Sequence, residues 1–306
     1  MDAEGVKIAL KRGANINQIG EDPHPESPLE VHLGQVIGAS ATEMKGIISF
    51  TRFLIARGAK PRGSENELFL GIVSRDSGLF GLLLKAGLNP HVSCDGLNAV
   101  QCAFVQDAES LIPLLLARHV PPIQKEDIDS LRILRAIKRY KTEKLQGLLA
   151  KGVDLNRFAP NGRTPILEAL ASPSWPMTPE IPLLLAVSAK GPAWTAVSQN
   201  KKDYRASILH LIARGLIISD QGRSVTATLV KVALDQGADA NARDEFQETP
   251  LHGAARQNNM AVVQVLLERG ADPTLMNFRR ESPFSLASDP QVRDLLISAY
   301  KKRMGM

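Results

Sequence analysis

Residues 244–276 constrain the fold more than any other part of the chain, because their pattern describes one complete helix pair. Thr249 can cap a helix, and Pro250 suits the first helical turn, where a missing N–H costs nothing. An apolar stripe at helical spacing then marks a second helix; it comprises Val262, Val263, Leu266 and Leu267. Gly270 supplies the left-handed residue that ends this helix. Such a unit cannot bury its own apolar face, so the segment predicts similar units stacked against it.

The motif Thr-Pro-Leu-His at 249–252, followed by Ala254 and Ala255, resembles an ankyrin repeat almost letter for letter. The resemblance implies an all-α fold: an ankyrin-repeat solenoid of stacked antiparallel helix pairs with protruding hairpin turns. In that family the histidine of the motif hydrogen-bonds locally and bridges adjacent units. The resemblance therefore implies a structural role for His252 rather than a catalytic one.

Further units are predicted by helix ends that carry glycine or a substitute for it. These ends lie at Gly13, Gly58, Gly87, His119, Gly152, Gly237 and Gly270. They predict a single array over 1–306, with about eight units after an opening half-unit. Residues 1–17 form the half-unit or N-terminal cap, 18–276 the repeats, and 277–306 a capping unit with a basic tail. The half-unit leaves two alternatives open: a short cap suffices here, or the array is cut from a longer one.

Four segments depart from the repeat period, and we expect the features that are particular to this protein to lie there. They lie near 34–48, 172–180, 189–202 and 215–224. Long connections inside a compact array are often functional. Two of these segments carry the only tryptophans, Trp175 and Trp194, each of which either contacts a partner or packs locally under its loop.

Composition favours an acidic protein partner over nucleic acid. The formal charge is +5 and the pI about 9.2, without the dense basic stripe of a nucleic-acid-binding surface. The two cysteines, Cys94 and Cys102, are predicted to be reduced. No apolar run reaches membrane-spanning length, and no secretory signal is recognised. The expected location is the cytoplasm or the nucleus, and the expected state is a monomer.

The chemistry-bearing residues form no recognised catalytic motif, so no catalytic residue, metal or cofactor is predicted. His24 and His32 lie in a proline-interrupted polar segment whose spacing fits no metal site. His91 and Cys94 are three residues apart, yet no second ligand pair accompanies them. Enzymatic activity is therefore disfavoured.

The leading hypothesis is an intracellular protein-binding or scaffold module that holds a partner on its concave face. The resemblance places the variable contact positions at turn tips and on first helices. The candidates there are Glu245, Phe246, Glu248, Arg256, Gln257, Phe278, Arg279, Glu281, Tyr204 and Arg214.

A second set of candidates lies on a basic helix and in the irregular segments. Arg135, Lys138 and Arg139 form either a solvated helix face or a patch that attracts an acidic partner. Trp175 and Trp194 complete the candidate set. A different class of function remains open: an enzyme or small-molecule binder whose pocket is formed by the irregular inserts. A deep apolar pocket with converging polar groups would favour it.

Overall fold

The computed structural model describes residues 14–17, 28–33, 35, 40–171, 180–189, 192–215 and 220–306. These residues form α-helices joined by turns and short 3₁₀ segments, and no multi-residue strand occurs among them. Two isolated bridges pair Cys94 with Leu97 and Val197 with Ser207. The predicted all-α class is confirmed.

The chain divides into two compact units, Met1–Leu131 and Arg132–Met306. Their continuity as one array stays a prediction. The first unit holds α1 (Pro28–Leu33), α2 (Ala41–Ala56), α3 (Glu65–Val73), α4 (Ser77–Lys85), α5 (Ala99–Val105) and α6 (Ile112–Leu116). Here α1, α3 and α5 pack in one layer, while α2 and α4 pack in another. The division itself falls inside α7 (Ile128–Lys138).

The helices of the second unit also alternate between two layers. They are α8 (Thr142–Ala150), α9 (Pro165–Ala171), α10 (Glu180–Ser188), α11 (Pro192–Thr195), α12 (Ile208–Arg214), α13 (Asp220–Asp235), α14 (Pro250–Arg256), α15 (Met260–Glu268), α16 (Pro283–Leu286) and α17 (Pro290–Met304). The first helices α9, α12, α14 and α16 stack in one layer, and α8, α10, α13, α15 and α17 stack in a second. A continuous apolar core lies between the layers.

The predicted helix ends are confirmed by backbone conformation. Left-handed residues with positive φ occur at Gly58, Gly87, His119, Gly152, Gly237 and Gly270. His119, with φ of 59°, takes the place of glycine as the sequence pattern indicates. Gly13 lies outside the described residues. Each cap turns the chain outward after a second helix, which places the next turn tip at the same edge of its unit.

The irregular segments are folded into the unit wherever the structure describes them. Residues 41–48 lengthen α2, and 220–224 begin α13, so both helices reach 16 residues. Residues 192–195 form the short helix α11, which carries Trp194 into the core with 0% exposure. The Trp194 ring N–H donates to the Ala189 carbonyl over 3.2 Å. Local packing therefore holds for Trp194, and its prediction as a partner contact is wrong.

Candidate partner-binding site

Three aromatic side chains stand on consecutive turn tips of the second unit. The Glu245 N–H donates to the Tyr204 carbonyl over 3.0 Å, and the Phe278 N–H donates to the Phe246 carbonyl over 3.1 Å. These bonds tie each tip to the next. The Tyr204 and Phe246 rings lie 4.8 Å apart between centroids. Tyr204 and Phe246 are each 46% exposed and Phe278 is 71% exposed, so a row of apolar surface faces solvent.

The last two tips have the same turn because one polar side chain braces each of them. Asp244 Oδ1 accepts the N–H groups of Phe246 and Glu248 over 2.9 and 2.8 Å. Asn277 Oδ1 accepts those of Arg279 and Glu281 over 2.9 and 3.0 Å. This repeated bracing fixes the direction in which the aromatic residues leave the backbone.

The tips and the first helices enclose a surface pocket of about 420 Å³, which we call the tip pocket. Its lining consists of Tyr204, Arg214, Phe246, Glu248, Arg256, Asn277, Phe278 and Arg279. Seven of these residues are candidates that the sequence singled out. The pocket thus brings together residues from three consecutive tips and from α12 and α14.

Internal ion pairs hold the floor of the tip pocket. Glu248 binds Arg256 through both carboxylate oxygens, with one of the distances at 3.0 Å, and lies 3.5 Å from Arg214. Arg214 also binds Asp244, whose side chain is fully buried. Burial of Glu248 acts to raise its pKa, but the Arg256 and Arg214 guanidinium groups and Asn277 lower that pKa on balance. The hydrogen bonds to Glu248 raise the pKa of Arg256 in turn.

Arg279 differs from the other two arginines of the tip pocket. Its side chain is exposed and makes no hydrogen bond or ion pair within the described part of the chain. The pocket therefore combines two neutralised guanidinium groups in its floor with one uncompensated guanidinium at its rim.

Two buried histidines join the repeats beneath the tip pocket. Nδ1 of His210 accepts the Ser207 N–H over 3.2 Å, so its proton lies on Nε2, which donates to the Glu248 carbonyl over 2.9 Å. His252 repeats this arrangement with Thr249 and the Glu281 carbonyl over 3.1 Å in both bonds. The structural role predicted for His252 is thereby confirmed.

Burial keeps both histidines neutral. Desolvation lowers the pKa of His210 to about 4 and also lowers the pKa of His252. A proton added to Nδ1 would abolish its capacity to accept the cap N–H. The hydrogen bonds that join the repeats at His210 and His252 therefore require the neutral imidazole.

The remaining candidates lie beside the tip pocket or elsewhere. Glu245 is exposed, Glu281 accepts from Asn277 Nδ2 over 2.9 Å, and Gln257 caps the C-terminal end of α14. Arg135 and Arg139 are half-buried. Trp175 lies outside the described residues.

The prediction of a basic patch is wrong for Lys138, because its ammonium group is turned towards an internal carboxylate. Its Nζ lies 2.8 Å from Glu168 Oε1, and only 24% of the side chain is exposed. Glu168 is itself 6% exposed. Lys138 therefore serves the interior of the second unit rather than a partner surface.

A buried ion-pair cluster, made of Lys138, Arg163, Glu168 and Asp203, was not predicted from the sequence. Arg163 binds Asp203 through two parallel bonds of 2.6 and 2.7 Å and Glu168 through one of 3.2 Å. The Ser198 hydroxyl lies 2.5 Å from Asp203 Oδ2. The side chains of Arg163, Glu168 and Asp203 are 6 or 7% exposed. Every partner is satisfied internally, so the cluster offers nothing to a ligand.

Asn277 is the tip-pocket residue that the sequence analysis missed. The sequence could have indicated it by position, because Asn277 corresponds to Asp244 at the start of the preceding tip.

No group of three or more potential metal ligands occurs in the described ranges. Likewise, no helix within them is long and apolar enough to cross a membrane.

Comparison with known proteins agrees with this geometry. A family model described as ankyrin repeats (many copies) matches residues 232–287, which include α14, α15 and most of the tip pocket. Residues 232–287 therefore carry ankyrin repeats.

Curated relatives match over short segments. A protein of Rickettsia bellii, named as an ankyrin repeat protein, is 32% identical over 98 residues, which are 26% of this chain and 58% of the relative. A similarly named protein of Acanthamoeba polyphaga mimivirus is 32% identical over 76 residues, 24% of this chain and 47% of the relative. NF-kappa-B inhibitor alpha of Sus scrofa is 34% identical over 83 residues, 27% of this chain and 25% of the relative. The chain thus spans about half the length of the first two relatives and a quarter of the third. Such repeats point to protein–protein interaction in general.

Proposed function

We propose that this protein is an interaction module that binds a partner protein at the tip pocket, on the face formed by turn tips and first helices. The observation that carries the proposal is the convergence of three exposed aromatic rings over a braced, arginine-containing floor. Exposed aromatic and arginine side chains dominate the energetics of protein interfaces. A solvent-facing row of this kind has no role in the core of its own repeats.

The rigidity of the tip pocket supports the same proposal. Asp244 and Asn277 fix the tips, and the ion pairs of Glu248 fix the floor, so little conformational freedom is lost when a partner docks. One similar protein is named as an inhibitor of NF-kappa-B, which fits a function exerted through binding. We infer a scaffold or adaptor role inside the cell for this chain.

Site-specific photo-crosslinking tests the proposal. A photoreactive phenylalanine analogue replaces Phe278 in the protein expressed in its own organism, and the same analogue replaces Leu116 as a control. Leu116 is 43% exposed and lies in the other unit. We expect a discrete crosslinked protein from position 278 that the Phe246→Ala variant loses. Equal crosslinking from both positions, or none from 278, would place the interface elsewhere.

A further inference from the structure

The charge of the tip pocket selects among the occupants that its aromatic rings could accept. Three rings beside a carboxylate would suit a cationic ligand. The lining, however, contains three guanidinium groups and only one carboxylate, that of Glu248. Asp244 behind Arg214 compensates one further positive charge. Glu281 also acts on Arg256 from beside the pocket, so the floor carries no net positive charge. The positive charge that faces a ligand is that of Arg279 at the rim, and it opposes a cation and favours an anion.

The uncompensated charge is localised at one residue. Arg214 and Arg256 already bind carboxylates of this chain, and a partner carboxylate would have to compete with Asp244 and Glu248 for them. Arg279 has no such competitor within the described residues. It lines the same pocket as Phe278, the most exposed of the three rings. An anionic group on a partner would therefore pair with Arg279 while an adjacent apolar group covers Phe278.

We propose, on the basis of the proposed function, that the tip pocket binds a peptide segment of the partner in which a large apolar side chain is flanked by acidic residues. The apolar side chain packs against Phe246 and Phe278, and a neighbouring carboxylate pairs with Arg279. Apolar contact supplies most of the affinity, since exposed charge pairs contribute little alone. The carboxylate supplies selectivity and faster association.

Selection from a library of random peptides displayed on phage tests this chemistry. The 306-residue protein is the target, and enriched peptides are synthesised with a fluorescent label for titration. We expect enrichment of sequences with Phe, Leu or Trp next to Asp or Glu. Phe278→Ala should weaken their binding on the order of tenfold or more. Arg279→Glu should weaken it to a similar degree at low salt and by less at high salt. Arg118→Glu, an exposed arginine of the other unit, is the matched control and should leave binding unchanged.

The outcomes separate this inference from the proposed function. The inference would be overturned by enriched peptides that are basic, or by acidic peptides that bind Arg279→Glu as well as the wild-type protein. If Phe278→Ala still weakened the binding of those peptides, the tip pocket would remain the proposed site. Peptides whose binding ignores Phe278→Ala in a folded variant would overturn the site itself. Absence of any enriched sequence would overturn the claim that the occupant is a peptide segment. Thermal unfolding of each variant confirms that the comparison is made on folded protein.

Discussion

The buried ion-pair cluster and the tip pocket employ the same groups within one unit, yet they differ in what covers them. Around Arg163, the turn at 196–206 closes over the charges, and the Gln199 N–H donates to the Gly162 carbonyl over 2.8 Å. Around Glu248, the side chains of Arg214 and Arg256 keep 28 and 42% of their surface exposed. Arginine–carboxylate pairing is therefore common to both places, and the opening to solvent beside exposed rings is what sets the proposed binding site apart.

The two clusters should respond differently to loss of their central cation. Arg163→Met leaves the Asp203 and Glu168 carboxylates buried beside an apolar side chain, and we expect a loss of about 3–5 kcal/mol in the free energy of unfolding. Arg214→Met should cost less than half of that, because Asp244 keeps two backbone N–H donors and Glu248 keeps Arg256. Urea unfolding followed by tryptophan fluorescence measures both, since Trp194 is buried in the core of the second unit. Equal losses would remove the distinction between a sealed and an open cluster.

Acidification should loosen the joint beneath the tip pocket. The pKa of His210 is about 4 in the folded protein and 6.5 in the unfolded chain. Because the folded pKa is lowered, the stabilisation is complete above pH 6.5 and is lost as the pH falls towards 4; it amounts to about 3 kcal/mol. His210→Gln keeps an acceptor for the Ser207 cap and should flatten the pH dependence over this range. His252, whose pKa is also lowered, should leave part of that dependence in the variant. Unchanged stability of the wild-type protein between pH 7 and 4.5 would contradict this assignment.

Two glycine substitutions test how tightly the turn at 196–206 packs over the buried ion-pair cluster. Both Gly162 and Gly270 have positive φ, of 78° and 87°. A Cβ on Gly162 would lie 2.8 Å from backbone atoms of Asn200 and Gln199, whereas one on Gly270 would meet nothing within 4 Å. Gly270→Ala should cost about 1 kcal/mol through its backbone conformation. Gly162→Ala should cost about 1–3 kcal/mol more, because it also forces two turns apart. Similar losses in urea unfolding would show that the closure around Gly162 is loose.

The fold was predictable because each helix pair repeats a local pattern. The Thr-Pro start, the leucine stripes and the glycine ends depend on neighbouring residues only, so periodicity identifies them. The same pattern predicted Tyr204, Phe246 and Phe278 as tip residues, since their place in the repeat is variable and outside the core. The structure puts them together as a surface.

Residues whose role depends on contacts between distant segments could not be predicted. Arg163 and Asp203 are 40 positions apart and meet only because the turn at 196–206 folds back. Lys138 looked like part of a basic helix face, yet its partner Glu168 comes from another helix. Trp194 in an irregular segment could equally have been exposed. Only the packed chain distinguishes these alternatives.

One variant tests most directly whether the tip pocket serves recognition rather than folding. Phe278→Ala removes the most exposed ring and no described hydrogen bond of the side chain. We predict that its free energy of unfolding stays within about 0.5 kcal/mol of the wild-type value. Its affinity for a peptide selected on the wild-type protein should fall on the order of tenfold or more. A folded Phe278→Ala variant with unchanged affinity, or one that loses stability as Arg163→Met does, would contradict the account.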